Sequence, residues 1–122
     1  MSAKILTREA ILGAQDIKVE NVKVPEWNDG VVRLRSMPGT DRDKWETVVQ
    51  SKVQDGKVNI DGMKVLLIVS CAIDDKGDPL FTENDLVELN KKNAKAINRL
   101  WEVAARMNGI GNEELEELRK NS

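Results

Sequence analysis

The residues that could do chemistry are few. The chain has one cysteine, Cys71, and neither histidine nor tyrosine, which removes the commonest general base near neutral pH, the commonest metal ligand and the phenolic acid. A zinc centre needs a cluster of thiol and imidazole ligands, and one thiol does not make one. Cys71 sits in the most hydrophobic stretch, residues 65–73, where a free cysteine behaves as a small buried apolar side chain. Asp74, Asp75 and Asp78 around Gly77 offer the oxygens that calcium takes, but they lack the alternating ligand pattern and the closing bidentate glutamate of a calcium loop. They are expected to form a polar turn. No serine or threonine lies in a glycine-flanked nucleophile elbow, and no glycine loop could cradle a phosphate. Carboxylates and lysines alone leave an enzyme conceivable, without a pattern that points to one. No catalytic, cofactor-binding or metal-binding residue is assigned.

Chemistry of another kind, the lending of apolar surface, has clearer candidates. Aromatic residues make up only 3% of the chain, and three of them are tryptophans, the side chain most enriched at binding hot spots. Trp45 and Trp101 fall on apolar helix faces and are expected in the core. Trp27, beside a turn and close to Pro25, divides between a packing anchor and an exposed contact. Leu115 and Leu118 stand three apart on an otherwise charged stretch, as a docked helix end or a stripe for a partner. Trp27, Leu115 and Leu118 are therefore the candidate partner-binding residues.

The elements that must position these residues follow from periodicity. At 122 residues the chain can bury one hydrophobic core, so a single domain spanning 1–122 is expected. Thr7 caps a short helix that Gly13 and Asp16 end early. Two β-branched runs separated by Asn28-Asp29-Gly30 predict a β-hairpin over about 17–37, with the glycine taking the positive φ of the turn. After Pro38-Gly39, Thr40 or Asp41 can cap a helix in which Trp45, Val48 and Val49 recur at helical spacing, running to about Val53. Residues 54–62 hold two Asp-Gly breakers and are expected to be a loop. Residues 63–73 suit a buried helix or a buried strand, and length favours the helix.

Beyond the turn at 74–79, Leu80-Phe81 is expected to dip into the core as a short extended anchor. Thr82 caps a helix with acidic residues in its first turn. A further helix, about 93–107, has Ile97, Leu100, Trp101 and Ala104 on its apolar face, with Asn108-Gly109 as its stop. Residues 112–120 complete the pattern as a short charged helix. The fold class is α+β: an N-terminal β-hairpin followed by a bundle of about four helices over about 40–120.

Composition excludes other roles. The net charge is −2 with both signs interspersed, so no basic stripe exists to track phosphates, and nucleic acid is not expected as a partner. The longest apolar run is well short of a bilayer span, so no membrane association is expected. The N-terminal residues lack the apolar stretch of a signal peptide, and a cytoplasmic protein is expected.

In order and spacing, several stretches resemble the tail assembly chaperones of bacteriophages with long non-contractile tails. They are Ile5-Leu6-Thr7-Arg8-Glu9-Ala10-Ile11-Leu12, then Val22-Lys23-Val24-Pro25-Glu26-Trp27 with Val31-Val32-Arg33-Leu34-Arg35, and Gly39-Thr40-Asp41-Arg42-Asp43-Lys44-Trp45-Glu46. Further along are Asp74 through Thr82 leading into Asp85-Leu86-Val87-Glu88-Leu89, and Ile97-Asn98-Arg99-Leu100-Trp101-Glu102-Val103-Ala104. The resemblance covers nearly the whole chain and also favours the helix at 63–73. It implies a non-enzymatic protein of the host bacterial cytoplasm that binds the tape-measure protein, keeps it soluble, helps recruit tail-tube protein, and is absent from the mature virion. It also implies self-association into a homo-oligomer and a longer frameshifted form of the same protein, with no cofactor. No family motif assigns the client-binding residues. Two other readings stay open at this point: a structural connector or tail-completion protein of a phage, and a small transcriptional regulator whose helices after Thr82 imitate a helix-turn-helix.

Overall fold

The computed structural model describes residues 3–51, 53–54, 57–58 and 62–111, the two short pieces at 53–54 and 57–58 by their backbone alone. Helix α1 (Arg8–Leu12) starts where Thr7 accepts a hydrogen bond from the Ala10 amide, and it ends at Gly13. Strands β1 (Val19–Val24) and β2 (Gly30–Arg35) pair antiparallel from Val19↔Arg35 to Val24↔Gly30. Their side chains alternate between faces, and Val24 and Leu34 are fully buried on the inner one. The turn between them is not built as expected. A 3-10 turn over Pro25–Trp27 is followed by Asn28 and Asp29 with φ of 57° and 58°, so these two residues take the left-handed conformation and Gly30 opens β2. Asn and Asp are the non-glycine residues that tolerate that region best.

Helix α2 (Gly39–Ser51) begins one residue before the expected caps. Thr40 and Asp41 therefore lie inside its first turn, and the Asp41 carboxylate accepts from the Arg35 guanidinium at 2.6 Å instead of capping. The helix stops at Ser51, and the segment that was expected to be a loop contains two short strands, β3 (Val53–Gln54) and β4 (Lys57–Val58), paired antiparallel. In sequence they are separated by Asp55-Gly56, a dipeptide that favours tight hairpin connections as much as it breaks helices.

Helix α3 (Met63–Cys71) resolves the ambiguous segment. Six of its nine residues are buried, and a helix covered nearly all round has no polar face to mark its period. The chain then becomes strand β5 (Ala72–Ile73), which pairs with β2 through Leu34↔Ala72 and Arg33↔Ile73. The sheet thus has three strands in the order β1-β2-β5, one more than the hairpin expected from sequence. The polar turn forms as predicted: the Asp74 carboxylate accepts from the amides of Lys76 and Asp78, and Gly77 takes a φ of 87°. Of the expected anchor only Phe81 packs against the core, while Leu80 is exposed. The Leu80 amide donates to the Ala72 carbonyl and leaves its side chain outside.

Thr82 and Asp85 form a capping box, but the turn they cap is a 3-10 turn (Glu83–Asp85) that leads into helix α4 (Leu86–Asn90). Helix α5 (Ala94–Met107) opens on the Asn93 side chain, which accepts from the Lys95 amide. It closes with the Gly109 amide bonded to Arg106 O, the Ile110 amide to Ala105 O, and Gly109 at a φ of 66°. That pair of bonds is a Schellman stop, and Ile110 beyond it is buried, as the motif's hydrophobic contact requires.

The core sits where α5 and α3 pack against the inner face of β1 and β2, with α2 and α4 flanking α3. The α+β class with an N-terminal hairpin and helices after it is thus the observed one. Trp45 is buried in the core as expected, and Trp101 lies half-buried at its edge. The predicted helix at 112–120 lies outside the described residues.

Candidate protein-binding surface

Two ion pairs hold the hairpin to the last described helix. Arg99 and Arg106, seven residues apart on α5 and hence on one face, fork onto Glu26 at 2.9 Å and Glu20 at 3.0 Å. The Arg99 hydrogen bond, together with the charge behind it, holds the Glu26 carboxyl below its ordinary range. A second tie joins three elements at Asn108. Its side-chain oxygen accepts from the Met37 amide at 2.7 Å, its side-chain nitrogen donates to Ala104 O and contacts Cys71 Sγ, and its carbonyl accepts from Arg42 at 2.7 Å.

Burial pushes the Cys71 thiol up to about 11, against a smaller opposing effect of the Asn108 contact. At neutral pH it is protonated and enclosed, which suits packing and not nucleophilic attack. Among the described residues no group of three or more acidic, cysteine or histidine side chains converges to hold a metal ion. Among them, too, no helix is long and apolar enough to cross a membrane.

What the described chain offers to another molecule is apolar surface in three places. The first is the N-terminal arm, in which every residue from 3 to 19 is exposed. Ile5 is 92% and Leu12 68% accessible, and Leu6, Ile11 and Ile17 are also exposed. The second is the outer face of the sheet, where Val31 and Leu80 stand in solvent beside Arg33, and Val19 is exposed at the start of β1. The third is a cleft of about 240 Å³ between α2, α3 and residues 79–83. Val48, Leu66, Val69 and Phe81 supply its apolar lining, and Lys44 of α2 and Glu83 also line it.

Of the three residues singled out from sequence, Trp27 lies in the 3-10 turn at the hairpin tip, half-buried and packed against the core. Leu115 and Leu118 lie outside the described residues. The sequence reading placed a short Thr7-capped helix in the arm and drew no binding surface from it. The available signal was the helix length, since five residues cannot present an apolar stripe long enough to dock.

The family model described as phage tail assembly chaperone matches residues 6–121. The chain belongs to the phage tail assembly chaperone family. Its fold is similar to that of the bacteriophage HK97 tail assembly chaperone, with a TM-score of 0.58 at 21% identity over 85% of this chain and 95% of that one. No curated protein sequence matches the chain. Membership gives the exposed arm and sheet face a context, because a chaperone works through surface it can share with another polypeptide.

Proposed function

We propose that this chaperone binds the tape-measure protein of its phage, keeps it soluble and helps recruit tail-tube subunits, acting in the host cytoplasm and staying out of the mature virion. The observation that supports this reading best is the N-terminal arm, whose five large aliphatic residues are all solvent-exposed. Large aliphatic side chains left in solvent so close together in sequence suit a surface that another polypeptide covers. A long helical client presents apolar stripes at intervals, and many weak contacts along it reinforce one another through effective concentration. Self-association of the chaperone along the client, and a frameshifted longer form that shares this domain, belong to the same reading.

Co-expression with tape-measure segments tests it. The chaperone is expected to raise the soluble fraction of the client and to co-purify with it, and Ile5→Ser with Leu12→Ser is expected to weaken both effects. Unchanged client aggregation in the presence of folded chaperone would refute the reading. So would detection of the chaperone in purified virions by mass spectrometry, for the part that places it outside the particle.

A further inference from the structure

Two apolar surfaces of the described chain lie apart from each other. One is the N-terminal arm, none of whose residues packs against the core. Its root is fixed, since the Lys18 amide donates to Ser36 Oγ and the Ser36 amide donates to the Lys18 carbonyl. With the root held in this way, every residue from 3 to 19 is still exposed. The other surface is the cleft of about 240 Å³ between α2, α3 and residues 79–83. The described chain covers neither surface with the other, and a second copy carries the counterpart of each.

We propose that the self-association put forward above, on which this step rests, is made by α1 of one copy seating Ile11 and Leu12 in the cleft of a second. Spacing supports that occupant. Ile11 and Leu12 close α1, three and four residues after Arg8, and so share a helix face with it, while Glu9 stands three before Leu12. The two aliphatic side chains enter a lining of Val48, Leu66, Val69 and Phe81, and apolar surface leaves water on both sides. Charge agrees as well. Arg8 and Glu9 pair with each other at 3.7 Å with side chains 77% and 79% exposed, a contact worth little in water. In the cleft, Lys44 and Glu83 make no ion pair among the described residues. Seating the helix brings Arg8 to Glu83 and Glu9 to Lys44. Ile5 and Leu6 lie ahead of the helix and stay outside, free for the client. Arm and cleft are different patches, so the contact is heterologous, and each added copy presents a fresh arm or a fresh cleft.

Sedimentation velocity on the full chain tests it. The native chain is expected to shift to larger species as its concentration rises. Leu12→Asp should weaken that association on the order of tenfold or more, the loss expected when a large aliphatic side chain gives way to a charge. Glu9 and Lys44 are both exposed, so reversing either charge leaves the core alone. Glu9→Lys or Lys44→Glu should weaken association about twofold to fivefold, and the two changes in one chain should restore it. Association that Leu12→Asp leaves unchanged would overturn the pairing of these surfaces while self-association itself stands, as would charge reversals that do not compensate each other. A native chain that stays monomeric at every concentration reached would overturn the proposal together with the self-association beneath it, and would leave client binding untouched. Protection of residues 8–12 from amide exchange in the monomer would overturn it in favour of the chain's own cleft.

Discussion

Helix α5 and the N-terminal arm contain the same kinds of apolar side chain and meet opposite fates. In α5, Ala96, Ile97, Leu100, Ala104 and Ala105 recur at three- and four-residue spacing over fourteen residues and are all buried, and two arginines on the same helix reach back to the hairpin. In the arm, Ile5 and Leu6 precede, and Ile11 and Leu12 end, a five-residue helix with no buried position. Burial of a stripe contributes about 25 cal/mol per Å² of apolar surface, and only a helix of several turns can present such a stripe to a sheet without bending. Local capping is equally good in both, through Thr7 in one and Asn93 in the other. Caps start helices; they do not decide where helices go.

The contrast can be broken or sharpened by substitution. Leu100, 1% exposed, lies where α5 meets the core, and Leu100→Ala is expected to cost about 2–5 kcal/mol in urea unfolding. A loss under ~1 kcal/mol would mean that α5 is not the centre of the fold. Asn108→Ala removes the acceptor for the Met37 amide and the contact to Cys71, and should cost about 1–3 kcal/mol because a half-buried donor is left unmet. Asn108→Asp, which keeps the acceptor, should recover part of that loss.

The Glu26–Arg99 pair acts through pH. Because Arg99 holds the Glu26 carboxyl below its ordinary value of 4.5, the folded state resists protonation more than the unfolded state does. The pair's contribution is therefore present above that value and is lost as pH falls through the lower, folded-state one. Urea midpoints of the native chain should drop in that acid range more steeply than those of Arg99→Gln. Parallel curves would remove the pair from the clamp. The smallest effect is expected in the arm, where Ile11→Ser should change stability by no more than ~0.5 kcal/mol. A loss comparable with that of Leu100→Ala would show that the arm packs on its own domain, contrary to its exposure.

Much of the fold was legible from the residues alone. The β-branched runs around Asn28-Asp29-Gly30 marked the hairpin, Thr7 and Thr82 marked helical starts, and Asn108-Gly109 marked the stop of α5, because caps and turns are local chemistry between residues a few positions apart. The same locality explains the errors. Which residue took the left-handed φ at the hairpin tip depended on how Pro25–Trp27 wound into a 3-10 turn. Asp41 was a plausible cap until Arg35 on β2 claimed its carboxylate.

The binding surface was far less legible, since exposure is a property of what does not come near. Residue types and spacing by themselves determined the class of protein, the absence of a histidine or a thiol pair to do chemistry, and the start and stop of most elements. Tertiary structure alone decided that Ala72-Ile73 would add a third strand to the hairpin, that Asn108 would tie α5 to the start of α2, and that the arm would stand clear of the core. Each of those outcomes joins, or fails to join, groups distant in the chain. Their free energy comes from burial and hydrogen bonding between elements, which no window of neighbouring residues contains.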